Sequence, residues 1–176
     1  MTLVNSIDKI VNWLTENVCS KITLKLPDDY RNDTGYDVVM VNPAAFPLYV
    51  PGKDRLPPNV AAPIPSVCVQ LMEGSDAKAT GGYSYYVNTG EAAKTYSRNM
   101  DGWRDCYNLA DLVLREIETA EYIAGHRLVK EQGIKFGPFT EDGNVWDYYP
   151  YWHSWISFAL EIGTTPAIPK EYEEFL

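Results

Sequence analysis

The residues of this chain whose types could do chemistry are two histidines, three cysteines and a dense run of aromatics near the end. A zinc site needs imidazoles at ligand spacing, as in H-E-x-x-H, and neither His126 nor His153 belongs to such a pattern. Cys106 with either histidine would be a thiol–imidazole pair only if the thiol sat in an electropositive, partly exposed setting. It falls instead behind the apolar stripe of a predicted helix, where cysteine is ordinary core. Cys19, Cys68 and Cys106 are odd in number, far apart and without C-x-x-C, so they read as reduced, mostly buried thiols rather than a disulfide framework. The sequence contains no G-x-S-x-G elbow, no G-x-x-x-x-G-K-[ST] phosphate loop and no G-x-G-x-x-G. Acidic pairs such as Glu173-Glu174 and Glu116/Glu118 fall on a solvated tail and an exposed helix face, which is not the convergent arrangement of a two-carboxylate hydrolase. The expectation is a non-enzyme with no metal and no cofactor.

The aromatics leave three readings open. Trp146, Tyr148, Tyr149, Tyr151, Trp152, Trp155 and Phe158 fall within thirteen residues. Such a cluster suits a packed core corner, a subunit interface or a carbohydrate platform with Asp147, His153 and Ser154 meeting sugar hydroxyls.

The elements that must carry these residues follow from periodicity. Ile7, Ile10, Val11, Leu14 and Val18 recur at helical spacing, predicting an amphipathic helix over 6–18 with Ser6 as N-cap. Ile22, Leu24 and Leu26 alternate with polar residues as a half-buried strand does, and a second strand is expected over 37–41. Residues 42–65 hold seven prolines, too many for a helix or a central strand, yet they also carry Phe46, Leu48, Tyr49, Val50, Leu56 and Ile64. This stretch reads as a stiff, partly apolar arm, packed on its own domain or docked on a neighbouring subunit.

Beyond the arm, residues 66–73 form a strand close to buried on both sides, Gly74-Ser75-Asp76 turns the chain, and 83–87 is a strand bracketed by Gly81-Gly82 and Gly90. A long helix spans about 103–124, with Asp101 as N-cap and Gly125 as its stop. A short strand over 127–130 and a loop over 133–143 follow. The last strand, 152–162, sets Trp152, Ile156, Phe158, Leu160 and Ile162 on one side and His153, Trp155, Ser157, Ala159 and Glu161 on the other. Helix, strands, helix, strands without alternating β-α units predict one α+β domain over 1–176, a mainly antiparallel sheet packed against the N-terminal helix and the long helix. An acidic tail, 163–176, ends it.

Composition narrows the partners. With 15 Lys+Arg against 24 Asp+Glu the formal charge is −9, which opposes nucleic-acid phosphates and anionic membranes alike. No run of eighteen apolar residues occurs, and the first residues lack the basic and apolar regions of a secretory signal, so assembly in the cytoplasm is expected.

Several segments resemble one family. They are Arg98-Asn99-Met100-Asp101-Gly102-Trp103-Arg104-Asp105, Leu114-Arg115-Glu116-Ile117-Glu118, the stretch Val129 to Pro138 (Val-Lys-Glu-Gln-Gly-Ile-Lys-Phe-Gly-Pro), and Tyr148-Tyr149-Pro150-Tyr151-Trp152 with Trp155-Ile156-Ser157-Phe158. With Pro63-Ile64-Pro65-Ser66-Val67 and Glu73-Gly74-Ser75-Asp76, they resemble tail-associated proteins of phages and prophages of Gram-positive bacteria, across most of the chain. Size and element order resemble the tail terminators of long-tailed phages; stoppers and other tail-completion proteins are of similar size. The resemblance implies a homo-oligomer, a hexameric ring on the tail tube that presents the head-joining surface. Its implied partners are the tail tube protein, a neck or connector protein, and the sheath if the tail contracts; its implied location is the virion. Between Asp76 and Arg98 the chain is shorter than the family pattern, implying a trimmed hairpin. Phe46, Leu48, Tyr49 and Leu56 of the arm and Trp152 and Trp155 of the last strand are the candidate subunit contacts.

Overall fold

The computed structural model describes residues 3–27, 30, 38–77, 80–92, 102–138, 140–141, 144–145 and 151–162. The chain opens with α1 (Leu3–Asn17), whose buried residues Ile7, Ile10 and Leu14, with Val18 beyond its end, are the stripe the sequence predicts. Ser6 is not its N-cap: the helix starts one turn earlier and buries Ser6. β1 (Leu24–Lys25) and β2 (Met40–Val41) pair antiparallel, and both are shorter than the alternation suggested. Asn42 donates both to the Cys19 carbonyl (3.0 Å) and to the Ile22 carbonyl (2.8 Å), tying the start of the arm to the end of the first helical segment.

The main sheet contains β3 (Ala44–Pro47), β4 (Ser66–Ala77), β5 (Thr80–Ala92), β6 (Tyr122–Ile123), β7 (His126–Leu128), β8 (Lys135–Pro138) and β11 (Tyr151–Glu161). A separate pair, β9 (Thr140–Glu141) and β10 (Asn144–Val145), lies outside it. Strand order is β3-β4-β5-β11-β7-β6, with β8 also pairing β11; β3 runs parallel to β4 and the other pairs are antiparallel. α2 (Gly102–Thr119) packs on β5 and β11, α1 on β3 and β4. The protein has an α+β fold with a mainly antiparallel sheet. One core cluster joins Ile10 and Leu14 of α1, Leu109, Val113 and Ile117 of α2, and Val67, Val69, Ile156, Phe158 and Leu160 of the sheet.

Four local expectations are corrected. Residues 74–76 do not turn the chain: β4 runs through them to Ala77 after a bulge at Leu71/Glu73, and Gly81-Gly82 lie inside β5. The stretch read as a trimmed hairpin contains β5, which pairs with β4 on one side and with β11 on the other, over eleven residue pairs each. Lys135–Pro138, placed in a loop, is a strand because β11 offers it a partner edge at Ser154–Ser157. The long helix ends at Thr119, not at 124, and Gly125 does not stop it.

Gly125 instead forms a two-residue hairpin turn with Ala124, closing the Ile123↔His126 pair. Both turn residues have positive φ, 54° and 83°, the requirement of a type I′ turn. Glycine meets that requirement freely, whereas alanine's Cβ is crowded there. Ala124→Asn is therefore expected to raise the unfolding free energy by about 0.5–1 kcal/mol, read as a higher urea midpoint at unchanged slope. A lowered midpoint would contradict the turn assignment.

Candidate interaction surface

The arm is where the structure separates the candidate contact residues. Its first segment is β3, an edge strand, the one kind of strand proline permits. The β4-facing backbone is engaged, since Ala44 N–H donates to the Pro65 carbonyl and Leu48 N–H to the Val69 carbonyl at 2.7 Å. Alternation then turns the backbone groups of Pro43, Ala45 and Pro47 outward. Two of these three lack an N–H, so the outer edge offers one donor and is poorly suited to adding another strand.

Phe46 does not belong among the contacts. It is 4% exposed and in register with Cys68, on the sheet face away from the helices, as the placement of Val67 and Val69 in the helix-side cluster requires. Its neighbours behave differently: Leu48 is 51% and Tyr49 70% exposed, and Val50 is exposed as well. Leu56 is half-buried.

Leu48 is the centre of a three-residue turn, in which Tyr49 N–H donates to the Pro47 carbonyl at 2.7 Å while Leu48 has φ 63°. This is the rare, strained γ-turn with positive φ. It is held by the Leu48–Val69 backbone bond and by Gln70 Nε2, which donates to the Leu48 carbonyl at 3.1 Å. The arm thus presents a fixed apolar knuckle, Leu48-Tyr49-Val50. At the other end of β3 lies a cleft of about 540 Å³, lined by Thr15, residues 40–45, 59–62, 64 and 65, with no titratable side chain among them. The described lining is mostly apolar and suits apolar groups.

The aromatic strand is less available. Trp155 lies across β8: its Nε1 donates to the Pro138 carbonyl at 2.8 Å, and a Cβ at Gly137 would meet the indole at 3.4 Å. Trp152 is half-buried on the opposite, helix-side face, with a buried Nε1 that has no hydrogen-bond partner among the described residues. Trp152 and Trp155 therefore do not share one platform. Trp146, Tyr148 and Tyr149 lie outside the described residues, as does the acidic tail.

The three cysteines and His126 are buried, and His153 is half-buried. All three cysteines are free and buried; burial pushes Cys19 up to about 12 and Cys68 to about 11. Cys106 Sγ is 3.6 Å from Ser154 Oγ between α2 and β11. Among the described residues no three His, Cys, Asp or Glu side chains gather as metal ligands, and no helix is long and apolar enough to cross a membrane.

His126 is 3% exposed, with Nε2 unpartnered among the described residues. Burial first, and Lys9 of α1 second, lower its pKa; burial also lowers that of His153. A base whose folded pKa is depressed binds protons first in the unfolded chain. Stability is then complete above the ordinary histidine pKa, about 6.5, and falls as pH drops below it. The urea midpoint is expected to decline from pH 7 to 5, and the decline to shrink in His126→Met; an unchanged slope in that variant would contradict the assignment.

Fold and surface define an α+β protein with an exposed apolar turn, Leu48-Tyr49-Val50, directly after an edge strand. No protein-family model matches the chain, and no curated protein matches its sequence.

Proposed function

We propose that this protein is a structural subunit of a long-tailed phage tail, a tail terminator that forms a ring capping the tail tube and provides the surface to which the head joins. The observation that carries the reading is the Leu48-Tyr49-Val50 knuckle, a fixed, solvent-facing apolar feature on a proline-blocked edge, which suits contact between subunits better than catalysis. The segment resemblances and the α+β architecture support the same reading. A neck or other tail-completion protein is the second reading, favoured by the same resemblances. As a ring subunit the protein has itself, the tube protein and a neck protein as partners, and the virion as its location.

The test is reconstitution. Tails from a lysate lacking this gene, mixed with heads and the purified protein, are expected to yield joined particles that appear in its absence at a level lower by orders of magnitude. Joining that is equally efficient without the protein would remove the terminator role.

A further inference from the structure

We propose that the knuckle Leu48-Tyr49-Val50 of one copy of this chain seats in the cleft between α1, β2 and the arm of the next copy, giving a head-to-tail contact. The inference rests on the homo-oligomer reading and adds to it the two surfaces that meet.

The knuckle has no evident purpose within its own fold. Leu48 holds a conformation that glycine would adopt without strain, and half its side chain faces water, so the leucine contributes little burial to its own fold. Strain kept in place by three hydrogen bonds, with the apolar side chains outside, is the pattern of a preorganised contact. The cleft is the complementary feature, uncharged and lined mostly by apolar side chains, with Thr15, Asn42 and Asn59 as its polar members. A copy cannot fill its own cleft with its own knuckle: Ala44 and Ala45 line the cleft, and the paired strand residues Phe46 and Pro47 hold the knuckle away from it. Features at opposite ends of one strand meet when copies stack head to tail, the contact that closes rings.

Charge favours a second copy as the occupant. On a chain of net charge −9, copies repel wherever their acidic faces meet, and the cleft offers a neutral landing place. Just past the knuckle, Lys53, Asp54 and Arg55 form an exposed 3₁₀ turn bearing two positive charges and one negative, so the arm tip is locally basic. The tip is attracted to the acidic remainder of another copy. Because the outer edge of β3 has one free donor, side chains rather than strand addition must supply the contact.

The experiment is sedimentation velocity on the full chain over a wide concentration range, with two variants. Leu48→Gly with Tyr49→Ser removes the knuckle and relieves the turn, so its melting temperature should equal or exceed that of the parent. Ala61→Trp fills the cleft from an exposed lining position. The parent is expected to self-associate, each variant alone to do so about 30-fold more weakly or worse, and an equimolar mixture to form one-to-one dimers, since one variant keeps the cleft and the other the knuckle. A monomeric parent at every concentration, variants that associate like the parent, or a mixture that stays monomeric would each overturn the inference. The terminator reading is measured separately by joining to tails, so variants that still assemble and still join would refute this contact while leaving the ring.

Discussion

Phe46→Ala should lower the unfolding free energy by about 3–4 kcal/mol, while Tyr49→Ala, three residues further along the same arm, should change it by no more than about 0.5 kcal/mol. The contrast follows from burial. Phe46 is 4% exposed beside Cys68, and truncating it removes a whole ring's transfer free energy and leaves a cavity the paired strands cannot collapse. Tyr49 is 70% exposed, and most of its ring is already in water. Urea unfolding checks both. Assembly should respond in the opposite order, with Tyr49→Ala impairing it while leaving the monomer intact. Equal stability losses at the two positions would contradict the arrangement of the arm.

The second large effect is expected at Trp155. Trp155→Ala should cost about 2–3 kcal/mol, less than a fully buried tryptophan because its indole is half-buried. The loss should be local in character: the indole holds β8 against β11 through its bond to the Pro138 carbonyl and its packing on Gly137, so amide exchange at residues 135–137 should accelerate most. Trp155→Phe keeps the ring and loses the N–H, and should cost about 1 kcal/mol. If amide exchange rose uniformly across the sheet, Trp155 would be a global core residue rather than the clamp of an edge strand.

What was legible in the sequence was what periodicity controls. The α1 stripe and the alternation of β11 carried through, because a helix or strand with one buried face must repeat its apolar residues at its own period. Turn positions were less legible. Gly74 and Gly81-Gly82 lie within long paired strands, where cross-strand hydrogen bonds outweigh the local preference of glycine for turns. Gly125 read as a helix stop because the apolar spacing continues through Ala120 and Ala124, yet Ala120 only closes the last turn of α2 while Ala124 sits in the β6–β7 hairpin, whose strand β7 also pairs with β11. β8 was hidden for the same reason: only the free edge of β11 makes a strand of Lys135–Pro138.

The candidate surface was half legible. Proline density marked the arm, and proline chemistry correctly excluded a central strand. Composition could not tell Phe46 from Tyr49, since both are aromatic residues in one proline-rich stretch; their fates were decided by the parallel pairing of β3 with β4, a long-range event. The strained turn at Leu48 had no sequence signal at all, because leucine is not a residue expected at positive φ. The cleft likewise depends on α1, β2 and the arm coming together from separate parts of the chain.

If the arm and its cleft build a ring that caps the tube, their effect is visible on whole particles. The most direct measurement is electron microscopy of tails from cells with the gene, without it, and with the Leu48→Gly/Tyr49→Ser variant. Tails of uniform length joined to heads are expected in the first case, and overlong or headless tails in the other two. Normal joined particles in the absence of the gene would contradict the terminator role.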